Sequence, residues 1–153
     1  MDTVLGYIEK GLREGAKLLG GGQAARTDSG GFYVQPTIFD EVQQHMAIAR
    51  EEIFGPVLSI MTFKDVQEAV QLANDHVYGL QASVWTRDIN CAHGVARALR
   101  AGTVHVNQYD EDDITVPFGG YKQSGVGRDK SLHAFDKYTE LKTTWIRIDS
   151  PVI

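Results

Sequence analysis

The residues of this chain that could do chemistry by themselves are Cys91, five histidines, a glycine-rich stretch from Gly119 to Gly127, and the acidic run Asp110-Glu111-Asp112-Asp113. A thiol near a helix N-terminus can act as a nucleophile when its anion is favoured. Cys91, however, stands two residues before His93, and helix positions two apart do not face each other, so the pair makes no Cys-His dyad. We read Cys91 as an inert packing thiol. His45, His76, His93, His105 and His133 contain no i, i+4 pair and no HExxH, so no metal site is expected. Gly120-Tyr121-Lys122-Gln123-Ser124-Gly125 has the two glycines of a phosphate loop, but Val126-Gly127 follows where that loop requires Lys and Ser or Thr. Gly125-Val126-Gly127 before a helix could cradle an anion, but a lone GxG is more often a tight turn. The acidic run is either a solvated loop or a rim that attracts cations.

The elements that would position these groups are legible from periodicity. Val57 to Phe63 reads as a strand. A helix follows, with Asp65 and Glu68 at capping-box spacing and Val66, Ala69, Val70 and Ala73 on one face, broken at Tyr78-Gly79. Ala82 to Thr86 is a second strand. Asp88 caps a second helix carrying Ile89, Ala92, Ala96 and Leu99, with Gly102 at its expected C′ position, and Thr103 to Asn107 is a third strand. This β-α-β-α-β order predicts three parallel strands with right-handed crossovers, an α/β fold. Upstream, Thr3 to Leu19 reads as an amphipathic helix stopped by Gly20-Gly21-Gly22, and Phe32 to Phe39 as an extended segment interrupted by Pro36. Downstream, Asp129 to Lys137 has helical character and Lys142 to Ile148 is a β-rich finishing strand. Ligands of open α/β sheets gather beyond the carboxyl ends of the strands. That points to the long loop from Gln108 to Gly127.

Bulk properties narrow the function classes. A chain of 153 residues with 42% apolar and 23% charged residues is an ordinary soluble globular composition. Its apolar runs are too short to span a bilayer, so no membrane insertion is expected. The net charge of −5 and the scattered Lys and Arg leave no basic footprint for nucleic acid. A single cysteine precludes an internal disulfide and suits a reducing compartment, and Met1-Asp2-Thr3 does not open a secretory signal, so a cytoplasmic location is expected.

Longer strings carry more information. Arg50-Glu51-Glu52-Ile53-Phe54-Gly55-Pro56-Val57, Ala73-Asn74 with Tyr78-Gly79-Leu80, Ala101-Gly102-Thr103-Val104 with Val106-Asn107, and Pro117-Phe118-Gly119-Gly120-Tyr121-Lys122-Gln123-Ser124-Gly125 occur in this order. Together they resemble the C-terminal portion of the aldehyde dehydrogenase superfamily, over about Tyr7 to Ile148. The resemblance implies the βαβαβ parallel-sheet unit of that family's catalytic domain, with residues 1–127 as part of that domain and 128–153 as a C-terminal helix and oligomerisation strand. It implies that Glu52 accepts hydrogen bonds from the ribose beside a nicotinamide, a task suited to the several acceptor sites of a carboxylate. Phe54 matches the aromatic that borders the nicotinamide ring, Phe118 matches an aromatic of the aldehyde tunnel, and Tyr109 lies in the same substrate-lining loop. The plain alternatives are a solvated glutamate and ordinary core aromatics.

The resemblance also implies what this chain does not carry. Family members attack the aldehyde with a cysteine thiolate, pass hydride to NAD or NADP, and use a glutamate to activate the hydrolytic water. Those residues and the dinucleotide-binding domain lie upstream of the matched part, and Cys91 is not at the nucleophile's place. Hence no catalytic residue is assigned here, no dehydrogenase activity is expected of the chain alone, and neither NAD nor NADP is expected to bind it tightly. Asp110 and Asp113, just before Phe118, would favour an amino- or other cationic aldehyde. The tail strings Arg128 to Ala134 and Tyr138 to Lys142 resemble the branch that oxidises γ-glutamylaminobutyraldehyde and similar polyamine-derived aldehydes. A different class of function stays open beside this one: a stand-alone, non-catalytic α/β module for assembly or interaction. In either case the finishing strand and uncovered apolar surface predict a homo-oligomer built on two-fold contacts.

Overall fold

The computed structural model describes residues 1–109 and 113–149. They form two compact units, Met1–Val77 and Tyr78–Ile153.

In the first unit, helix α1 (Asp2–Arg13) lays Val4, Ile8 and Gly11 against the core. It ends at Gly15, earlier than the glycine triplet predicted. Gly15 takes φ +97°, its N–H donates to Leu12 O (3.1 Å), and the Ala16 N–H donates to Gly11 O (3.0 Å). These are the two bonds of a Schellman stop, which a left-handed glycine makes at little steric cost. Leu18 and Leu19 therefore belong to strand β1 (Lys17–Gly20), not to the helix. Strands β2 (Ala24–Ala25) and β3 (Tyr33–Val34) form a short antiparallel ribbon. Strand β4 (Thr37–Asp40) pairs antiparallel with β1 and parallel with β5 (Val57–Ser59), giving the order β1-β4-β5. A single turn of helix, α2 (Ala47–Arg50), and helix α3 (Val66–Asn74) complete the unit. Phe39, fully buried, centres a core with Val4, Ile8, Val42, Met46 and Ile48. As predicted, the Asp65 carboxylate caps α3, accepting from the Glu68 N–H at 2.9 Å.

In the second unit, β6 (Tyr78–Gly79) pairs antiparallel with β9 (Tyr121–Lys122). Strand β7 (Gln81–Val84), helix α4 (Ile89–Ala98) and strand β8 (Thr103–Val106) make the expected β-α-β with parallel strands. The Asp88 carboxylate caps α4 through the Asn90 N–H (2.8 Å).

The α/β class and its parallel ladders agree with the sequence reading, but the three predicted strands do not share one ladder. Val57–Ser59 pairs with Thr37–Asp40 in the first unit, and Gln81–Val84 with Thr103–Val106 in the second. Periodicity identifies strands, whereas partner choice depends on segments far away in sequence. The C-terminal expectations also change. Asp129 to Lys137 contains a 3-10 turn, Leu132–Lys137, in place of an α-helix. The segment from Lys142 to Ile148 forms no strand, because a strand exists only by pairing and no described residue pairs with it. Trp145 (93% exposed), Ile146 and Ile148 stand open to solvent there.

Candidate functional site

The string from Arg50 to Val57 is an irregular segment held at close intervals, with two side chains left outward. Its entry is fixed by α2. The Ala47 N–H donates to Glu14 Oε2 (2.7 Å), the Ser59 hydroxyl donates to Ile48 O (3.0 Å), and the Arg50 guanidinium meets Asp75 Oδ2 at 2.8 Å. Glu51 is anchored next: Oε2 accepts from the Tyr7 hydroxyl at 2.8 Å, and Oε1 from Lys10 Nζ at 3.2 Å. The Tyr7 hydrogen bond, then Lys10, hold its carboxyl below the usual carboxylate range. Ile53 packs against the core, Gly55 lies under α1 so that a Cβ there would meet Val4 Cγ2 at 2.7 Å, and Pro56 O accepts from the Thr37 N–H (2.8 Å).

Between these anchors, Glu52 is exposed and has no hydrogen-bond or ionic partner among the described residues. Phe54 is 90% exposed at φ +52°, a conformation that costs energy for a bulky side chain without the freedom of glycine. Backbone strain of this kind persists only where surrounding structure imposes it, and it concentrates at ligand sites. The first unit thus aims one free carboxylate and one bare aromatic ring at solvent from a rigidly held segment.

In the second unit the loop after β8 carries the remaining predicted residues. Tyr109 is 68% exposed. Asp110 lies outside the described residues. Asp113 Oδ1 accepts from the Thr115 hydroxyl (2.6 Å) and N–H (2.7 Å), and these bonds, with the Lys130 charge, hold its carboxyl below the usual range. It therefore keeps its charge at neutral pH. Phe118 is half-buried, exchanges backbone hydrogen bonds with Asp129 (2.9 and 2.7 Å), and has Lys130 Nζ 5.7 Å from its ring centre. Tyr109, Asp113 and Phe118 all lie in the loop that follows β8. Glu52 and Phe54 belong to the other unit.

Two sequence readings change here. Gly102 is not a C′ glycine, because α4 already ends at Leu99, at φ −70° and ψ 133°. Gly102 is instead a point of close approach: a Cβ would drive into the Gly119 carbonyl, with its carbon at 2.7 Å and Gly120 Cα at 3.1 Å. Its N–H donates to Gly79 O (3.0 Å) and Leu80 O (3.1 Å). Asn107 is a further residue that the structure singles out. It sits at φ +56°, accepts from the Thr86 N–H (2.8 Å) and donates to Thr86 O (2.9 Å), tying the ends of β7 and β8 beneath the loop. The signal was available, since Asn is among the few residues that tolerate left-handed backbone. The stretch from Gly120 to Gly125 is a turn whose Ser124 and Gly125 N–H groups bond to Tyr121 and Lys122 carbonyls. Cys91 is a free, half-buried thiol in the first turn of α4. Among the described residues no group of three or more His, Cys, Asp or Glu could hold a metal, and no helix is long and apolar enough to cross a membrane.

The profile of the Aldehyde dehydrogenase family matches residues 1–144. The chain belongs to that family. It is 52% identical over 149 residues to the NADP/NAD-dependent aldehyde dehydrogenase PuuC of Escherichia coli, covering 97% of this chain and 29% of that protein. Its fold matches a mutant indole-3-acetaldehyde dehydrogenase of P. syringae in complex with NAD+ and IAA, with a TM-score of 0.92 and 62% identity over 96% of this chain and 30% of that one. It also matches the gamma-glutamyl-gamma-aminobutyraldehyde dehydrogenase of Burkholderia cenocepacia, with a TM-score of 0.89 and 61% identity over 94% of this chain and 29% of that one. The chain therefore spans about 30% of the length of the aldehyde dehydrogenases it matches.

Proposed function

We propose that this chain supplies one wall of an aldehyde-oxidising site within a longer cytoplasmic protein. Residues 1–127 would belong to that protein's catalytic domain and 128–153 to its assembly segment. The observation that carries the reading is the contrast between two adjacent glutamates. Glu51 is tied to Tyr7 and Lys10, whereas Glu52 is free beside the exposed, left-handed Phe54. A free carboxylate suits a pair of vicinal hydroxyls and a bare ring suits a flat heterocycle, so both residues fit the ribose and nicotinamide of NAD or NADP. That cofactor, when bound, accepts the hydride. The part of Glu52 is to hold the ribose, and that of Phe54 to border the ring.

In such a protein Glu52→Gln is expected to slow hydride transfer by about tenfold to a hundredfold, with a smaller change in KM for the aldehyde, because the lost contact positions the reacting ring. Single-turnover NADH absorbance checks this, and an unchanged rate would remove Glu52 from the site. In the second unit, Asp110, Asp113, Tyr109 and Phe118 would receive an amino- or other cationic, polyamine-derived aldehyde. The names of this chain's relatives support an aldehyde without choosing one, since indole-3-acetaldehyde and gamma-glutamyl-gamma-aminobutyraldehyde dehydrogenases match at nearly equal identity. Neutralising Asp110 and Asp113 together should therefore weaken a cationic aldehyde more than a neutral one of equal length, and less so at high salt. Equal losses would leave the run a solvated loop.

Assembly is part of the same proposal. The open segment from Lys142 to Ile148 would become a strand by pairing with a second copy, because β-rich backbone without a partner is a template for another chain. Sedimentation across a dilution series is expected to show a homo-oligomer that dissociates when the chain is cut after Leu141. A monomer at every concentration, unchanged by the cut, would overturn it.

A further inference from the structure

Helix α1 does more in the first unit than cover the core. Val4, Tyr7 and Gly11 recur at helical spacing and so lie on one side of it, with Lys10 beside them. The segment from Ile48 to Gly55 runs along that side in the opposite direction. A Cβ at Gly11 would meet Ile48 Cδ1 at 2.9 Å, and a Cβ at Gly55 would meet Val4 Cγ2 at 2.7 Å. Between these contacts the Tyr7 hydroxyl and Lys10 Nζ donate to the Glu51 carboxylate at 2.8 and 3.2 Å. The ties at Glu51 and Gly55 leave slack between them. Val4 and Tyr7 are about 4.5 Å apart along the helix axis, whereas the chain from Glu51 to Gly55 reaches about 13–14 Å when extended. The excess backbone bows away from the helix. Ile53 turns to the core, and Glu52 and Phe54 turn to solvent, Phe54 at φ +52°.

We propose that Tyr7, with Lys10 beside it, is a positioning residue for the cofactor: by holding Glu51 it fixes the end of the bow from which Glu52 and Phe54 are presented to the ribose and the nicotinamide ring. The proposal rests on the reading of those two residues as part of the cofactor's wall, and adds what sets their aim. The Gly55 end is fixed by close packing against Val4. The Glu51 end is fixed by hydrogen bonds: its N–H donates to Ala47 O (2.8 Å), and its exposed side chain accepts from Tyr7 and Lys10. Tyr7 supplies the directional bond, because its ring packs against the core and holds the hydroxyl in one place. Lys10 adds charge from a flexible stem. Releasing that end lets the slack spread and frees Phe54 from a left-handed conformation that persists only where its surroundings impose it. A small displacement of a positioning group is costly in rate, whereas an exposed ion pair contributes little to stability. The signature is a loss of hydride transfer without a loss of fold.

The structural arm of the test uses the isotope-labelled full chain and its Tyr7→Phe/Lys10→Met variant, which keeps the ring and the aliphatic stem. The Phe54 Cα and Cβ chemical shifts, which report φ, should move toward those of extended backbone, while the melting temperature stays within about 3 °C. Lys17→Met breaks the exposed Lys17–Glu41 pair of the same unit and should leave the Phe54 shifts in place. Phe54 shifts unmoved by the double variant would overturn the proposal. The kinetic arm uses the longer protein. There the double variant should slow single-turnover hydride transfer about threefold to tenfold, with KM for the aldehyde little changed. Glu51→Gln, whose amide oxygen still accepts from the Tyr7 hydroxyl, should keep most of the rate that Glu51→Ala loses. An unaltered rate, or one that falls only together with the melting temperature, would overturn it. Glu52→Gln in the same assay separates the two readings. If it slows hydride transfer and the double variant does not, positioning by Tyr7 fails alone; if neither does, the cofactor wall fails with it.

Discussion

Mixed with aminoaldehydes and either NAD or NADP, the isolated chain is expected to form no NADH or NADPH above background. Covalent catalysis on an aldehyde needs an activated nucleophile, and hydrolysis of the acyl-enzyme needs a base. The resemblance to the family implies that both lie upstream of the matched region. Where catalytic groups act as a unit, removing them costs on the order of 10⁶ in rate. Cys91 is the one thiol that could contradict this. It sits half-buried in the first turn of α4, and His93, two positions on, points to another side of the helix. The absorbance assay should be run with the chain and with Cys91→Ser. Turnover that the substitution abolishes would make Cys91 a nucleophile and the chain an enzyme in its own right.

Substituting Gly102 by alanine is expected to have the largest effect on stability of any single methyl added to the second unit. The added Cβ meets the backbone of Gly119 and Gly120, which no rotamer change can move aside. Overpacking usually costs about 1–3 kcal/mol, and a backbone clash belongs at or beyond the top of that range. For a unit of this size about 3 kcal/mol corresponds to a fall in Tm on the order of 10 °C or more. The clash would also push the Pro117 to Lys122 segment away from β8 and displace Phe118. Gly94 is the control. It stands in α4 with nothing within 4 Å of a Cβ, so Gly94→Ala should stabilise the chain by about 0.5–1 kcal/mol through helix propensity. Thermal melts of both variants decide the matter. A Gly102→Ala midpoint within about 2 °C of the parent would mean that this approach is looser than the geometry requires.

Much of the local structure was legible in the sequence. The capping carboxylates Asp65 and Asp88, the helices that follow them and the parallel β7-α4-β8 unit depend on contacts a few residues apart or on one short crossover, which a linear pattern records directly. The four strings around Glu52, Asn74, Asn107 and Phe118 were enough to identify the family. Tertiary structure decided matters that depend on what a residue meets across the chain. Whether α1 stops at Gly15 or at Gly20 turned on φ and on pairing of Lys17–Gly20 with Thr37–Asp40, which no helical period encodes. Glu51 and Glu52 are identical in type and adjacent in sequence. Only the arrival of Tyr7 and Lys10, more than 40 residues upstream, makes one an anchor and leaves the other free. Gly102 has the same character. Its spacing suited a helix cap, but its necessity comes from the carbonyl of Gly119 packed against it, a contact that exists only once the loop has folded back on the strand.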